Sequence, residues 1–121
     1  MRRRGRLLIV DDDPDICWMM AEVLGEGYEV LAAPNPAEAL ARAREAPPDA
    51  IVVDLALGGA SGWALIRLLQ ADPGLRTVPM IVLSAHHVAH PPPGLAPCAG
   101  YLTKPCSLLA LRELLSRLIV P

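Results

Sequence analysis

Phenylalanine is absent from this 121-residue chain, and aromatic residues make up only 3% of it. That excludes an aromatic core, so the interior must be filled by Leu, Ile, Val, Ala and Met. Lysine is nearly absent as well: Lys104 is the sole Lys among 11 basic residues. A strong charge of either sign is lacking, with a formal net charge of −2. A nucleic-acid footprint spread over the whole surface is therefore not expected. Cysteine is scarce. Cys17, Cys98 and Cys106 are odd in number and irregular in spacing, which argues against a disulfide framework and for a reducing, cytoplasmic setting. No apolar run is long enough to span a membrane. The run after Arg2, Arg3, Arg4 and Arg6 is only Leu7 to Val10, too short for a signal peptide. What is plentiful is aliphatic: 53% of the residues are apolar, enough for one cored domain and against disorder.

Short apolar runs alternate with helical patterns. Leu7 to Val10 reads as a strand. Pro14 to Leu24 reads as a helix, with Asp13 as N-cap and Pro14 in the first position. Its expected core face is Ile16, Met19, Met20 and Val23. A second strand is expected over Tyr28 to Ala32. Asn35-Pro36 repeats the cap signal and opens a helix to about Glu45. Ala50 to Asp54 is a third strand, apolar at every position before the aspartate, as suits a parallel strand covered on both faces. Gly58 to Gly62 forms a glycine-rich turn into a helix from about Trp63 to Gln70. Pro79 to Ser84 and Tyr101-Leu102 read as the last two strands. Ser107 caps a final helix whose apolar arc is Leu108, Leu111, Leu114, Leu115, Leu118 and Ile119. The alternation predicts an α/β fold: a doubly wound parallel sheet with helices on both faces. Residues 86–100 break the rhythm with their prolines and glycines, which nearly exclude a regular helix across residues 91–97.

In such a sheet the C-terminal strand ends share one edge, where ligand chemistry sits. Here that edge gathers Asp11, Asp12 and Asp13 from the first strand and Asp54 from the third. Ser84 comes from the fourth, and Lys104-Pro105 follow the fifth. Several carboxylates this close repel and make sense around a hard divalent cation such as Mg²⁺.

The motifs LLIVDDDPD, AIVVDLALGGASGW, MIVLSA and GYLTKP, in this order, resemble the receiver domains of two-component response regulators. The resemblance covers essentially the whole chain as one domain, with residues 1–5 a basic frayed terminus and 86–100 an atypical segment. It implies a flavodoxin-like, CheY-like sheet of five strands in the order 2-1-3-4-5. It implies that Asp54 is the phosphoacceptor and that Mg²⁺ is held by Asp11, Asp12, Asp54 and the backbone carbonyl of Ala56. Ser84 and Lys104 would act on the phosphoryl group, Ser84 and Tyr101 would form the switch, and the Lys104-Pro105 bond would be cis. The implied partner is a histidine kinase or histidine phosphotransfer protein. A homodimer is compatible with such a domain; neither a membrane nor direct nucleic-acid contact is expected.

The chain departs from the family pattern in three ways. Gly58 and Ser61 replace the usual proline and acidic residue, although Gly62 is kept, so the turn after Asp54 is expected to be looser. The interval from Ser84 to Lys104 is short. The fourth helix of the family falls in the proline-rich segment, and is expected to be missing, shortened or irregular. Plainer readings hold elsewhere. Asp13 is a cap rather than a ligand. His86, His87, His90 and Cys98 match no zinc spacing, and Cys17 and Cys106 are small apolar fillers. The N-terminal arginines form a frayed end rather than an anion-binding arm. Trp18 lies off the core face and either meets a partner or packs on a neighbouring loop. Two rival functions remain. One is a phosphorylation-independent interaction module on the same fold. The other is a small phosphatase of the haloacid dehalogenase type, with Asp11 and Asp13 as its Asp-x-Asp.

Overall fold

A computed structural model describes residues 5–88, 90–105 and 107–119. Met1 to Arg4, Ala89, Cys106, Val120 and Pro121 lie outside that set, so the readings on Cys106 and on the first four residues are not addressed by it. Five parallel strands form one sheet. They are β1 (Arg6–Val10), β2 (Glu29–Ala33), β3 (Ala50–Asp54), β4 (Met80–Ser84) and β5 (Gly100–Thr103). Their order is β2-β1-β3-β4-β5, the expected flavodoxin-like arrangement. Register is continuous across the sheet: Ile9 lies beside Ala32 on one side and Val52 on the other, and Val52 beside Ile81. Among the described residues four helices cover it: α1 (Pro14–Leu24), α2 (Pro36–Glu45), α3 (Gly62–Ala71) and α4 (Leu108–Leu118).

Side-chain alternation along the strands divides the core in two. Leu8, Val10, Ile51, Val53 and Val82 meet Ala39 and Ala43 of α2 and Leu65, Ile66 and Leu69 of α3. Leu7, Ile9, Val52, Ile81 and Leu83 face Met20 and Leu24 of α1 and Leu111 and Leu115 of α4. β3 is buried at all five positions, as its unbroken apolar run requires. Among the described residues no helix is long and apolar enough to cross a membrane.

The local signals place the helices well. Asp13 accepts from the Asp15 N–H and Asn35 from the Glu38 N–H, each ahead of a proline in the first turn. Several expectations need correction. β2 runs from Glu29 to Ala33, one residue later than read, and Tyr28 is a buried residue before it. Met19 is not in the core but 44% exposed. The inward face of α1 is the Ile16, Cys17, Met20, Leu24 side, which rotates Met19 outward and leaves Trp18 68% exposed. Trp18 is therefore not packed under a loop. The frayed N-terminus does not extend to residue 5, because the Gly5 carbonyl accepts from the Glu29 N–H. Arg6, grouped with the free arginines, begins β1 and pairs with Glu29 at 3.3 Å.

The turn after Asp54 is not loose. Ala56–Leu57 pairs antiparallel with Ala60–Ser61 around Gly58 and Gly59, whose φ values are 54° and 94°. A two-residue hairpin loop of type I′ needs positive φ at both positions, and glycine supplies it. Ser61 then caps α3, accepting from the Trp63 N–H. Gly62 is fixed by space: a Cβ there would lie 2.5 Å from the Asp54 carbonyl oxygen and 2.8 Å from Leu55 Cα. Gly62→Ala is expected to cost about 1–3 kcal/mol of stability by urea unfolding, since both obstacles are backbone.

Between β4 and β5 the described residues hold no helix, as the prolines require. A strap over residues 91–99 takes its place. Leu95 and Cys98 pack on the α2–α3 core. The Gln70 carboxamide grips Ala96 twice, donating to its carbonyl and accepting from its N–H, both at 2.9 Å. Cys98 N–H donates to the Tyr101 hydroxyl at 2.8 Å. Gln70→Ala is expected to speed amide exchange at Ala96 and lower stability by about 1–2 kcal/mol, leaving exchange in β1 and β3 tracking global unfolding.

Candidate functional site

The strand ends converge through one repeated local device. At the ends of β1, β3 and β4 a side-chain oxygen accepts the backbone N–H two residues on: Asp11 Oδ1 from Asp13 at 2.9 Å, Asp54 Oδ1 from Ala56 at 3.1 Å, and Ser84 Oγ from His86 at 3.1 Å. Each turn stops the strand and fixes the side chain at the sheet edge. Asp11, Asp54 and Ser84 are the only buried polar or charged side chains among the described residues, at 2%, 5% and 8% exposure. Burying polar groups is costly unless they are paired or used.

Lys104 enters from β5, its N–H donating to the Ser84 carbonyl; the Lys104-Pro105 bond is cis. Its Nζ donates to Asp54 Oδ2 at 2.7 Å. It stands 3.7 Å from Asp11 Oδ2, too far for a hydrogen bond. Asp54 thus has both oxygens engaged, whereas Asp11 Oδ2 is buried with no hydrogen-bond partner. Burial chiefly raises the Asp11 pKa, with the Asp54 and Asp12 charges adding to it, against the opposing Asp13 N–H and Lys104. For Lys104, burial pulls downward, but the bond and charge of Asp54, then Asp11, outweigh it and raise the pKa. The Cys17 thiol is also raised, by burial first and then by Asp11. It stays a thiol and donates to the Asp11 carbonyl at 3.4 Å.

Asp12 is exposed and leans over the hairpin; a Cβ on Gly58 would lie 2.7 Å from its Oδ2. Oxygens of Asp11, Asp12 and Asp54 lie within 4.8 Å of one another. Three carboxylates against one ammonium leave excess negative charge. At about 4 Å each like-charged pair costs on the order of 4 kcal/mol at an effective dielectric of about 20. The orphaned Asp11 oxygen, the clustered carboxylates and their hard-oxygen chemistry fit a divalent cation. No second cluster of this kind is found among the described residues: His86, His87, His90 and Cys98 do not converge.

Of the residues singled out from the sequence, Asp11, Asp12, Asp54 and Lys104 meet directly. Ser84 is at the same edge, one residue beyond Leu83, which lies beside Asp54. Ala56 contributes its N–H to Asp54. Tyr101 is elsewhere, its hydroxyl committed to the strap at Cys98. Sequence reasoning missed the Gly58–Asp12 contact and the Asp13 N–H on Asp11. An Asp followed two residues later by a free N–H was the available signal for the latter.

Comparison with known proteins bears on the family and the fold. Residues 7–116 match the response regulator receiver domain family. The DNA-binding response regulator MtrA of Mycolicibacterium smegmatis is 41% identical over 83 residues, which are 68% of this chain and 35% of that protein. The chain thus spans about a third of that relative's length, and the DNA-binding description belongs to the whole of it. The sensor histidine kinase TmoS of Ectopseudomonas mendocina is 34% identical over 116 residues, 94% of this chain and 12% of the kinase. Among solved structures, a sensor protein from Polaromonas sp. JS666 superposes with a TM-score of 0.86 at 32% identity, over 96% of both chains. The Vibrio cholerae chemotaxis response regulator CheY4 gives 0.81 at 27% identity, covering 94% of this chain and 98% of its own. With the family match running almost from end to end of this sheet, the chain belongs to the response regulator receiver domains of two-component signalling.

Proposed function

We propose that Asp54 accepts a phosphoryl group from a histidine kinase or histidine phosphotransfer protein, and that the domain then switches a protein-interaction surface. The observation that carries this is the Asp54 carboxylate, buried and held at 2.7 Å by Lys104 beside Asp11 and Asp12. An Asp54 oxygen attacks phosphorus, the bond from phosphorus to the donor breaks, and the donor leaves with the electron pair. An acyl phosphate results, which water can hydrolyse. Lys104 follows the charge from the carboxylate to the phosphoryl oxygens, where a fixed cation lowers the barrier. Asp11, Asp12, Asp54 and the Ala56 carbonyl would hold Mg²⁺, which supplies further charge neutralisation on the phosphoryl oxygens. The Ser84 hydroxyl, at the neighbouring strand end, would bond a phosphoryl oxygen and pull the β4–β5 region with it. Tyr101 would respond through its bond to the strap. The whole chain acts as one receiver unit, a signalling domain rather than a turnover enzyme.

The test is intact mass after incubation with Mg²⁺ and acetyl phosphate, natural chain beside Asp54→Ala. The expected result is one added phosphoryl group, lost in the variant and lost with EDTA. A folded protein that gains no mass and releases no phosphate would instead favour a phosphorylation-independent module. Turnover of a phosphate monoester that survives Asp54→Ala would favour the phosphatase reading through Asp11 and Asp13.

A further inference from the structure

The acidic residues are unevenly distributed. From residue 55 to residue 112 the only carboxylate is Asp72. It is already occupied, held by Arg44 at 2.9 Å and by the Gly74 N–H at 2.8 Å. Arg67 and Arg76 lie in this stretch, and among the described residues neither forms an ion pair. Both line one cleft between α3 and the strap, with Gln70, Thr77, Gly94 and Leu95, of about 620 Å³. The cleft exists because a strap, not a helix, crosses here. Its walls are fixed: Gln70 clamps Ala96 on both sides. Gly94 has a φ of 92°, and a Cβ there would lie 4.0 Å from Arg67 Nη1. The Arg67 guanidinium therefore reaches from α3 across to the strap.

Two arginines that line one concave site and form no ion pair among the described residues suit a doubly charged anion, which each can bind in fork geometry. Thr77 also lines the cleft and brings a neutral hydroxyl, and Leu95, Ala71 and Ala96 are its apolar lining residues. We propose that this cleft binds a small phosphate-bearing ligand through Arg67 and Arg76. The site is separate from the acidic edge, because Thr77 leads into the start of β4 and the strap into the start of β5, at the opposite end of the sheet.

The test is calorimetric titration of the full chain with inorganic pyrophosphate, at low salt with EDTA. Saturable one-to-one binding is expected, weakened about tenfold or more by Arg67→Gln and by Arg76→Gln. It should be unchanged by Arg112→Gln, on the exposed side of α4, and by Lys104→Gln. Equal urea midpoints for Arg67→Gln, Arg76→Gln, Arg112→Gln and the natural chain would show that the cleft, not the fold, was altered. Gln70→Ala, which frees the strap, should also weaken binding. No saturable binding would overturn the proposal. So would equal weakening by Arg112→Gln, the mark of an adventitious ion only. Loss through Lys104→Gln alone would place the anion at the acidic edge and overturn it too.

Discussion

Lys104→Ala is expected to slow phosphoryl uptake by Asp54 by about 10²–10³-fold, the usual cost of removing one preorganised charge from a transferring group. The same change should tighten Mg²⁺ binding, because the ammonium 2.7 Å from Asp54 and 3.7 Å from Asp11 opposes a second cation. The two effects have opposite signs, so a general loss of structure cannot imitate them. Rate is read from adduct mass against time, and affinity from calorimetric titration with MgCl₂. Lys104→Arg makes the finer point. Arg keeps the charge but spreads it over a rigid planar fork, whereas the ammonium is a compact point that can move with the anion. The Arg variant is expected to fold and to transfer at least about tenfold more slowly. Transfer at the natural rate would show that charge alone matters, and that the single lysine in an arginine-rich chain has another cause.

Much of this site could be read in advance because its determinants are local. Asp13-Pro14 and Asn35-Pro36 announce helix starts through capping and proline geometry that need no distant partner. The strand ends followed from unbroken apolar runs meeting Asp or Ser, and a parallel sheet then brings those ends together. The errors lie where distant residues decide. Met19 satisfies a helical period, yet α1 turns it outward because Tyr28 and the Leu111 and Leu115 face of α4 set the packing direction. The hairpin at Gly58-Gly59 has strands of two residues, too short to show any period. Gln70 reads as an ordinary polar residue; its partner Ala96 lies 26 positions away. Nor could spacing alone show that Lys104 bonds Asp54 and only approaches Asp11, leaving one oxygen bare.

That bare oxygen gives the second large effect. Asp11→Asn is expected to abolish Mg²⁺-dependent phosphorylation and, in EDTA at neutral pH, to stabilise the fold by about 1–2 kcal/mol. Asp11 is 2% exposed and its Oδ2 has no hydrogen-bond partner, so its charge is buried without full compensation. An amide removes that charge and retains the oxygen that accepts from the Asp13 N–H. The pH dependence has a definite sign. Burial raises the Asp11 pKa above its unfolded value, so the folded state binds the proton more tightly. The resulting stability is present in acid and is lost as pH rises through the raised value. The advantage of the variant should therefore be greatest at neutral pH and shrink as pH falls toward the ordinary carboxylate range. Saturating Mg²⁺ should reverse the order, because a ligand that binds only the folded natural chain stabilises it by mass action. Urea unfolding in EDTA and in Mg²⁺, at two pH values, measures all of this. A variant less stable than the natural chain in EDTA would mean that Lys104 already compensates Asp11 at 3.7 Å, and that the acidic edge is not strained toward a cation.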